Sequence, residues 1–307
     1  MNKEARIQQF LHRVSAEDLS QNYLKGLVEL AKDEDLKGAG LKSRSKKPRD
    51  VTSEILNRAG NGSATLNARE ELVLCGLPIV PLVLKAYHKQ LLFTAEAEDG
   101  ASLDSGDSIG TIEGPISQLL MAERVLLNFL QFLSGVATET QKYVDALGPS
   151  STRLLDTRKT TPGYRMLQKY AVACGGGWNH RLGLFDRVML KDNHLAADKA
   201  QSGESLTVLV RRARENNPGL LIEVEVDHLD QIPAVLAAEP DKLMLDNFQV
   251  SELKAAVDIV GNRACTEATG SITLTNLAEL GDIGLDFVST GALVHKSVWK
   301  DIGLDWN

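Results

Sequence analysis

Six short apolar runs decide how this chain is read: TRLLDTRK (152–159), RVMLKDNH (187–194), LLIEVEVD (220–227), KLMLDN (242–247), RACTEATG (263–270) and DFVSTG (286–291). Each ends in a polar residue or glycine. Helical stretches lie between them, at 163–174, 206–216, 232–238, 251–260 and 274–281. The last four runs end near residues 226, 245, 267 and 289, so they stand 19, 22 and 22 residues apart. Strands alternating with helices at that spacing are parallel βα units, because neighbouring parallel strands need a long crossover. The economical packing is an α/β barrel. Six strands are clear, fewer than the eight of the complete form.

A parallel barrel carries its chemistry at the C-terminal strand ends. In order, those ends offer Thr157, Arg158, Lys159 and Thr160; Lys191, Asp192 and Asn193; Glu223, Glu225 and Asp227; Asp246 and Asn247; Thr269, Gly270 and Ser271; then Thr290 and Gly291. Half of this mouth is cationic and half is carboxylate, and the last two loops are small. From Thr157 to Lys191 there are seven Lys/Arg and one acid, Asp186, in a chain of net charge -7. A basic island in an acidic protein is a focused anion site. The small loops after the last strands suit phosphate, because glycine lets backbone N–H groups approach the anion.

Working outward, the first half has a different texture. Residues 1 to about 32 read as helical, with Leu24, Leu27, Val28 and Ala31 on one face. A polar stretch follows, Lys32–Arg49, whose basic run LKSRSKKPR is read as a solvated loop. Residues 62–112 alternate and turn often, the pattern of a small β-rich module. From Gln118 to Leu147 the period becomes helical, with Leu119, Ala122, Leu126, Phe129, Leu130 and Leu133 on one face.

The 307 residues leave room for two domains, and 43% hydrophobic content excludes disorder as the main state. The acidic balance argues against a polynucleotide-coating role. Cys75, Cys174 and Cys265 lie far apart, as expected in a reducing compartment. The N-terminus lacks a secretory h-region, and the longest apolar stretch, Leu72–Leu84, is too short to span a bilayer. The expectation is a cytoplasmic protein bound neither to nucleic acid nor to membrane.

Taken singly, each polar position has a plain structural reading. Glu225 can be a rim carboxylate, Asp246-Asn247 a helix cap, Gly175-Gly176-Gly177 a helix end, His180 a structural histidine, and Arg124 a surface residue. Cys174 is read as packing. Their convergence on strand ends and on one cationic loop lifts them as a set. No Walker, Rossmann, G-x-S-x-G or H-E-x-x-H motif is present, and His180 and His194 are too far apart for a helical metal pair.

The stretch LLDTRKTTPGYRMLQKYAVACGGGWNHRLGLFDRVMLKDNH (154–194) closely resembles the quinolinate phosphoribosyltransferase family. So do AERVLLNFLQFLSGVAT (122–138), IEVEVD (222–227), LMLDN (243–247), EATGSITLTN (267–276) and STGALVH (289–295). The resemblance runs in order over about residues 50–300. It implies an N-terminal α/β sandwich domain at 1–135, joined by the tail 295–307, and an incomplete, six- to seven-stranded α/β barrel at 136–294. It implies a homodimer or larger, and an enzyme that takes quinolinate and phosphoribosyl pyrophosphate with Mg²⁺ and yields nicotinate mononucleotide, pyrophosphate and CO₂ for NAD biosynthesis.

It also implies roles. Arg158, His180 and Arg181 match the pocket for the quinolinate carboxylates, with Thr157 and Met189 beside them, and Arg124 matches an arginine lent by the neighbouring subunit. Lys159 and Lys191 match lysines on the substrate and pyrophosphate side. Glu225 and Asp246 match carboxylates that hold the ribose hydroxyls and Mg²⁺. Thr269, Gly270, Ser271 and Gly291 match the 5′-phosphate loops. Two departures stand out. The family's acidic E-D-L-G-x-G-D-x-T segment is split here by an insertion, KDEDLKGAGLKSRSKKPRDVTSEIL (32–56), and the phosphate loop reads Thr-Gly-Ser in place of Ser-Gly-Gly. Two other readings are a relative of the molybdenum-transport-associated type with a different acceptor, and a non-catalytic anion or nucleic-acid binder.

Overall fold

The computed structural model describes residues 2–43, 45, 47–55, 60–191 and 203–307. In chain order the strands are β1 (Asn61–Ala68), β2 (Leu72–Val73), β3 (Leu92–Ala95), β4 (Ser102–Leu103), β5 (Ser108–Pro115), β6 (Arg153–Leu155), β7 (Val188–Leu190), β8 (Ile222–Val226), β9 (Lys242–Asp246), β10 (Cys265–Thr269), β11 (Phe287–Ser289) and β12 (Ile302–Trp306). The chain divides into two units, Val14–Glu139 with Ser297–Asn307, and Met1–Arg13 with Thr140–Lys296.

The first unit is a sandwich. Its antiparallel sheet has the order β12-β1-β5-β3. Ala64, Leu66 and Ala68 of β1 are buried at every second position, as a half-buried strand requires. The helix Gln21–Lys37 buries Leu24 and Val28. It runs past Lys32, from where the sequence pattern predicts a loop, because Asp33–Lys37 is polar but helix-compatible, and it stops where Gly38 takes a left-handed φ of 72°. The helix Val80–Tyr87, absent from the β-rich reading, accepts Pro81 in its first turn, where no N–H is needed. Arg44 and Lys46 of the basic run lie outside the described residues.

The helix Ile116–Leu147 is, by length and composition, apolar enough to cross a bilayer, and the reading based on Leu72–Leu84 overlooked it. Its most apolar window is 61% buried inside the protein. Within the sandwich unit its hydroxyls serve the backbone of β2 and of Cys75 just after it. Thr138 Oγ1 accepts from Val73 N–H at 2.8 Å, and Ser134 Oγ accepts from Cys75 N–H at 3.0 Å. Those contacts mark it as a core helix.

The second unit is an incomplete α/β barrel whose sheet has the order β6-β11-β10-β9-β8-β7, every pair parallel. Trp178 adds a single parallel bridge beside Leu155 at the β6 edge. Strands β8 to β10 are buried almost throughout, as strands covered on both faces must be. Residues up to Arg13 belong to this unit, not to the N-terminal domain expected over 1–135. The cause is packing. The helix Lys3–Phe10 inserts Ile7 and Phe10 among Leu155, Cys265 and Phe287, and the Phe10 and Phe287 rings meet edge-on at 5.8 Å.

Candidate active site

The strand ends of the barrel unit surround an open cavity of about 630 Å³. Arg158, Lys159, His180 and Arg181 line one side, Met189 and Lys191 follow from β7, and Glu225, Met244, Asp246 and Asn247 come from β8 and β9. Thr269, Gly270 and Ser271 complete it after β10. Each position follows from strand direction: an apolar run ends, the chain reaches the C-terminal edge, and the next side chains face the mouth.

The cationic side is held by a buried hub. Asp156, 1% exposed, accepts from Lys169 Nζ at 2.6 Å, Asn179 Nδ2 at 2.9 Å and His180 N–H at 2.7 Å. Lys169 is fully buried, and desolvation lowers its pKa although Asp156 opposes the shift. The hub fixes the backbone that presents His180 and Arg181. Burial, and then repulsion from Arg158, lowers the Arg181 guanidinium from its ordinary value. Two arginines that repel one another in a partly desolvated pocket make a receptor for a dianion.

Also on the lining, Lys191 Nζ pairs with Glu225. Asn247, in the left-handed region at φ 58°, donates from Nδ2 to Asp246 Oδ2 at 3.0 Å and accepts from Ser271 Oγ at 3.1 Å. Gly270 follows at φ 76°, and a Cβ there would press into the Asn247 side chain and come within 2.7 Å of Asp246 Oδ1. Glycine is therefore required both for the turn and for space. Gly291 does not line the cavity. It matters as a close approach, since a Cβ on it would lie 2.7 Å from Lys159 Cδ.

Two family models match this chain: quinolinate phosphoribosyl transferase, N-terminal domain, over residues 50–134, and the C-terminal domain of the same enzyme over residues 136–305. The chain belongs to the quinolinate phosphoribosyltransferase family. A nicotinate-nucleotide pyrophosphorylase [carboxylating] of Mycobacterium leprae is 40% identical over 264 residues, covering 83% of this chain and 90% of that protein. A probable nicotinate-nucleotide pyrophosphorylase [carboxylating] of Synechocystis is 37% identical over 259 residues, covering 83% and 86%. The solved nicotinate-nucleotide pyrophosphorylase of Francisella tularensis superposes with a TM-score of 0.85 at 33% identity, covering 97% of this chain and all of that one.

Within this member of the quinolinate phosphoribosyltransferase family, the structure gathers Thr157, Arg158, Lys159, His180, Arg181, Met189, Lys191, Glu225, Asp246, Thr269, Gly270 and Ser271 around one cavity. Arg124 is exposed and belongs to the sandwich unit. Asp192, Asn193 and His194 lie outside the described residues. Several expectations from the strand ends need correction: Thr160 and Thr290, like Gly291, do not line the cavity. Glu223 is fully buried and does not reach the mouth, and Asp227 is exposed without lining it. The basic island is smaller than its composition, because Lys169 is paired with Asp156 and Arg187 Nη1 lies 3.4 Å from Glu223. Asn247, expected at the mouth beside Asp246, lines the cavity, and so do Met244 and Ser289, which the sequence did not assign to it. For Met244 the signal was present: it sits in the LMLDN run two residues before Asp246, hence on the same face of β9.

Proposed function

We propose that this protein transfers the phosphoribosyl group of phosphoribosyl pyrophosphate to quinolinate, releasing pyrophosphate and CO₂ and forming nicotinate mononucleotide, a step of NAD biosynthesis. The observation that carries the reading is the joint arrangement around one cavity of two arginines, two lysines, two carboxylates and a glycine turn. Arg158 and Arg181 receive the quinolinate carboxylates, since guanidinium forks match them in shape and charge. Met189 and Met244 supply apolar surface for the pyridine ring.

The pyridine nitrogen attacks the anomeric carbon as the bond to pyrophosphate breaks. Positive charge develops on the ribose, and Glu225 and Asp246 stabilise it. Lys159 and Lys191 neutralise the departing pyrophosphate. The turn at Thr269, Gly270 and Ser271 seats the 5′-phosphate. The C2 carboxylate then leaves as CO₂. Its electron pair stays at C2 beside the quaternised nitrogen, and a proton from water replaces it. The chain mainly positions and stabilises charge, with little acid–base work of its own.

Mg²⁺ belongs to this proposal. Glu225 and Asp246 are oxygen donors facing the cavity, a set suited to a hard cation that shares its sphere with substrate phosphates. Bound there, Mg²⁺ supplies charge neutralisation on pyrophosphate oxygens. The oligomer belongs to it as well: we assign a homodimer or larger, with exposed Arg124 completing a neighbour's quinolinate site. Mixing Arg124→Ala protein with Arg158→Ala protein tests the lending. Activity recovered in the mixture, absent from either alone, is expected, and no recovery in mixed dimers refutes it. The compartment is cytoplasmic, in keeping with three cysteines that form no disulfide.

The primary test supplies quinolinate, phosphoribosyl pyrophosphate and Mg²⁺ and follows nicotinate mononucleotide and CO₂, with nicotinate as a parallel acceptor. Product from quinolinate alone is expected. A folded protein that yields no product from quinolinate overturns the assignment.

A further inference from the structure

Beneath the cavity floor lies a layer of charge that the reaction above does not use. Along a strand, every second residue faces the same side. Glu223 therefore sits one layer below Glu225 on β8, Lys242 sits below Met244 and Asp246 on β9, and Glu267 sits below Thr269 on β10. All three are fully buried, in an interior that barrels usually fill with branched apolar side chains. Lys242 Nζ is 2.9 Å from Glu223 Oε1 and pairs also with Glu267 Oε2. It lies over the Phe10 ring at 4.4 Å. Burial alone would raise the Glu267 carboxyl, but Lys242 and His180 hold it below the usual carboxylate range. Such a cluster is a poor way to stabilise a core, since apolar residues of the same volume serve as well or better.

One side chain joins this layer to the cavity. His180 lines the cavity and is 4% exposed. Its Nδ1 accepts the Arg181 N–H at 2.7 Å, so Nδ1 carries a lone pair. Its Nε2 lies 3.4 Å from Glu267 Oε1 and 3.8 Å from Glu223 Oε2, and all three atoms are buried without a hydrogen bond of regular geometry among the described residues, so these carboxylate oxygens are the charges that Nε2 faces. Nδ1 is thus engaged by the Arg181 backbone, and Nε2 faces the two buried carboxylates.

We infer that Glu223, Lys242 and Glu267 are positioning residues for quinolinate, acting through His180: the two carboxylates hold its proton on Nε2, which leaves Nδ1 to fix the Arg181 backbone in the anion pocket. The inference rests on the cavity being the quinolinate site. It assigns His180 a supporting role, with the guanidinium of Arg181 making the contact to substrate.

The cluster's geometry gives a sharp test. In Glu267→Gln the amide has one acceptor oxygen, and the Lys242 ammonium claims it. The amide NH₂ then faces His180 Nε2, the ring proton moves to Nδ1, and Nδ1 no longer accepts from Arg181. The expected result is a quinolinate KM raised by about tenfold or more, with kcat and the phosphoribosyl pyrophosphate KM moved by less than about threefold. In ¹⁵N-histidine spectra of the whole enzyme, the His180 signal should change from the Nε2–H to the Nδ1–H tautomer. Adding Lys242→Met frees the amide oxygen to turn toward Nε2, so the double variant should regain the wild-type tautomer and most of the lost quinolinate affinity. Glu223→Gln, at the longer distance, should shift both readouts the same way by less, and it stands in if Glu267→Gln does not fold.

An unchanged tautomer and quinolinate KM in folded Glu267→Gln would overturn the inference, as would a double variant worse than the single one, which is what a merely structural cluster predicts. If wild-type enzyme does not turn over quinolinate, the proposed function falls. The tautomer series still decides whether the cluster governs His180.

Discussion

The two units of this chain fill their interiors in opposite ways. Among described residues of the sandwich unit, only Ser134 and Thr138 are buried polar side chains, and both are hydroxyls used by neighbouring backbone. The barrel unit buries Asp156, Lys169, Arg187, Glu223, Lys242 and Glu267, each next to an opposite charge. A scaffold needs only apolar complementarity, which tolerates error. A receptor for charged substrates needs side chains locked in one geometry, and paired buried ions lock it at a cost in stability.

The largest test of this contrast is Asp156→Ala. It strands the buried Lys169 ammonium and removes the acceptor for Asn179 and for His180 N–H. A loss of about 3–5 kcal/mol is expected in urea unfolding, enough to leave the barrel unit marginal. Asp156→Asn with Lys169→Met should lose much less, because no charge is then left unpaired. Next is Lys159→Ala. Lys159 is exposed, so stability should hold, while kcat/KM should fall about a hundredfold, near 2.7 kcal/mol of transition-state stabilisation. A change within about twofold would remove Lys159 from the reaction.

Acid should separate the units further. The Glu267 carboxyl has a lower pKa folded than unfolded, so its contribution is fully present above the unfolded value of about 4.3 and is lost as pH falls toward the folded value. The urea midpoint of wild type should exceed that of Glu267→Gln at pH 7, and the gap should shrink progressively below about pH 4. A gap independent of pH would mean that the carboxylate charge contributes nothing. The smallest effect belongs to the sandwich unit: Ser134→Ala leaves one buried Cys75 N–H without its acceptor and should cost about 1–2 kcal/mol, leaving quinolinate kinetics unchanged.

Much of the cavity was legible in the sequence because each strand announces its end. An apolar run that stops at Arg158, Lys191, Glu225, Asp246 or Thr269 gives both the element and the edge at which it opens. Depth along a strand was not legible in that way. Glu223 and Glu225 are alternate residues of one run and read alike, yet one lines the cavity and the other lies sealed beneath it. Only the register that sets Glu223 beside Lys242 distinguishes them. Lys242 opens its run, where nothing in the pattern marks it as buried, and the fold closes over it. Destinations were hidden too: the pattern of residues 3–10 shows an apolar face but not that Phe10 would enter the barrel. The length of the Gln21–Lys37 helix was missed because its last turn buries nothing that periodicity detects.

The charged layer has a consequence for how ligands arrive. Its two cations, Arg187 and Lys242, offset its two carboxylates, so seen from solvent it is a neutral multipole whose field dies away within a few ångströms. Attraction of two polyanionic substrates is therefore left to the cations that line the cavity, above all to exposed Lys159, where counterions compete directly. Capture should slow steeply as ionic strength rises, while the fit of a substrate already seated, governed from below, should hardly notice the salt.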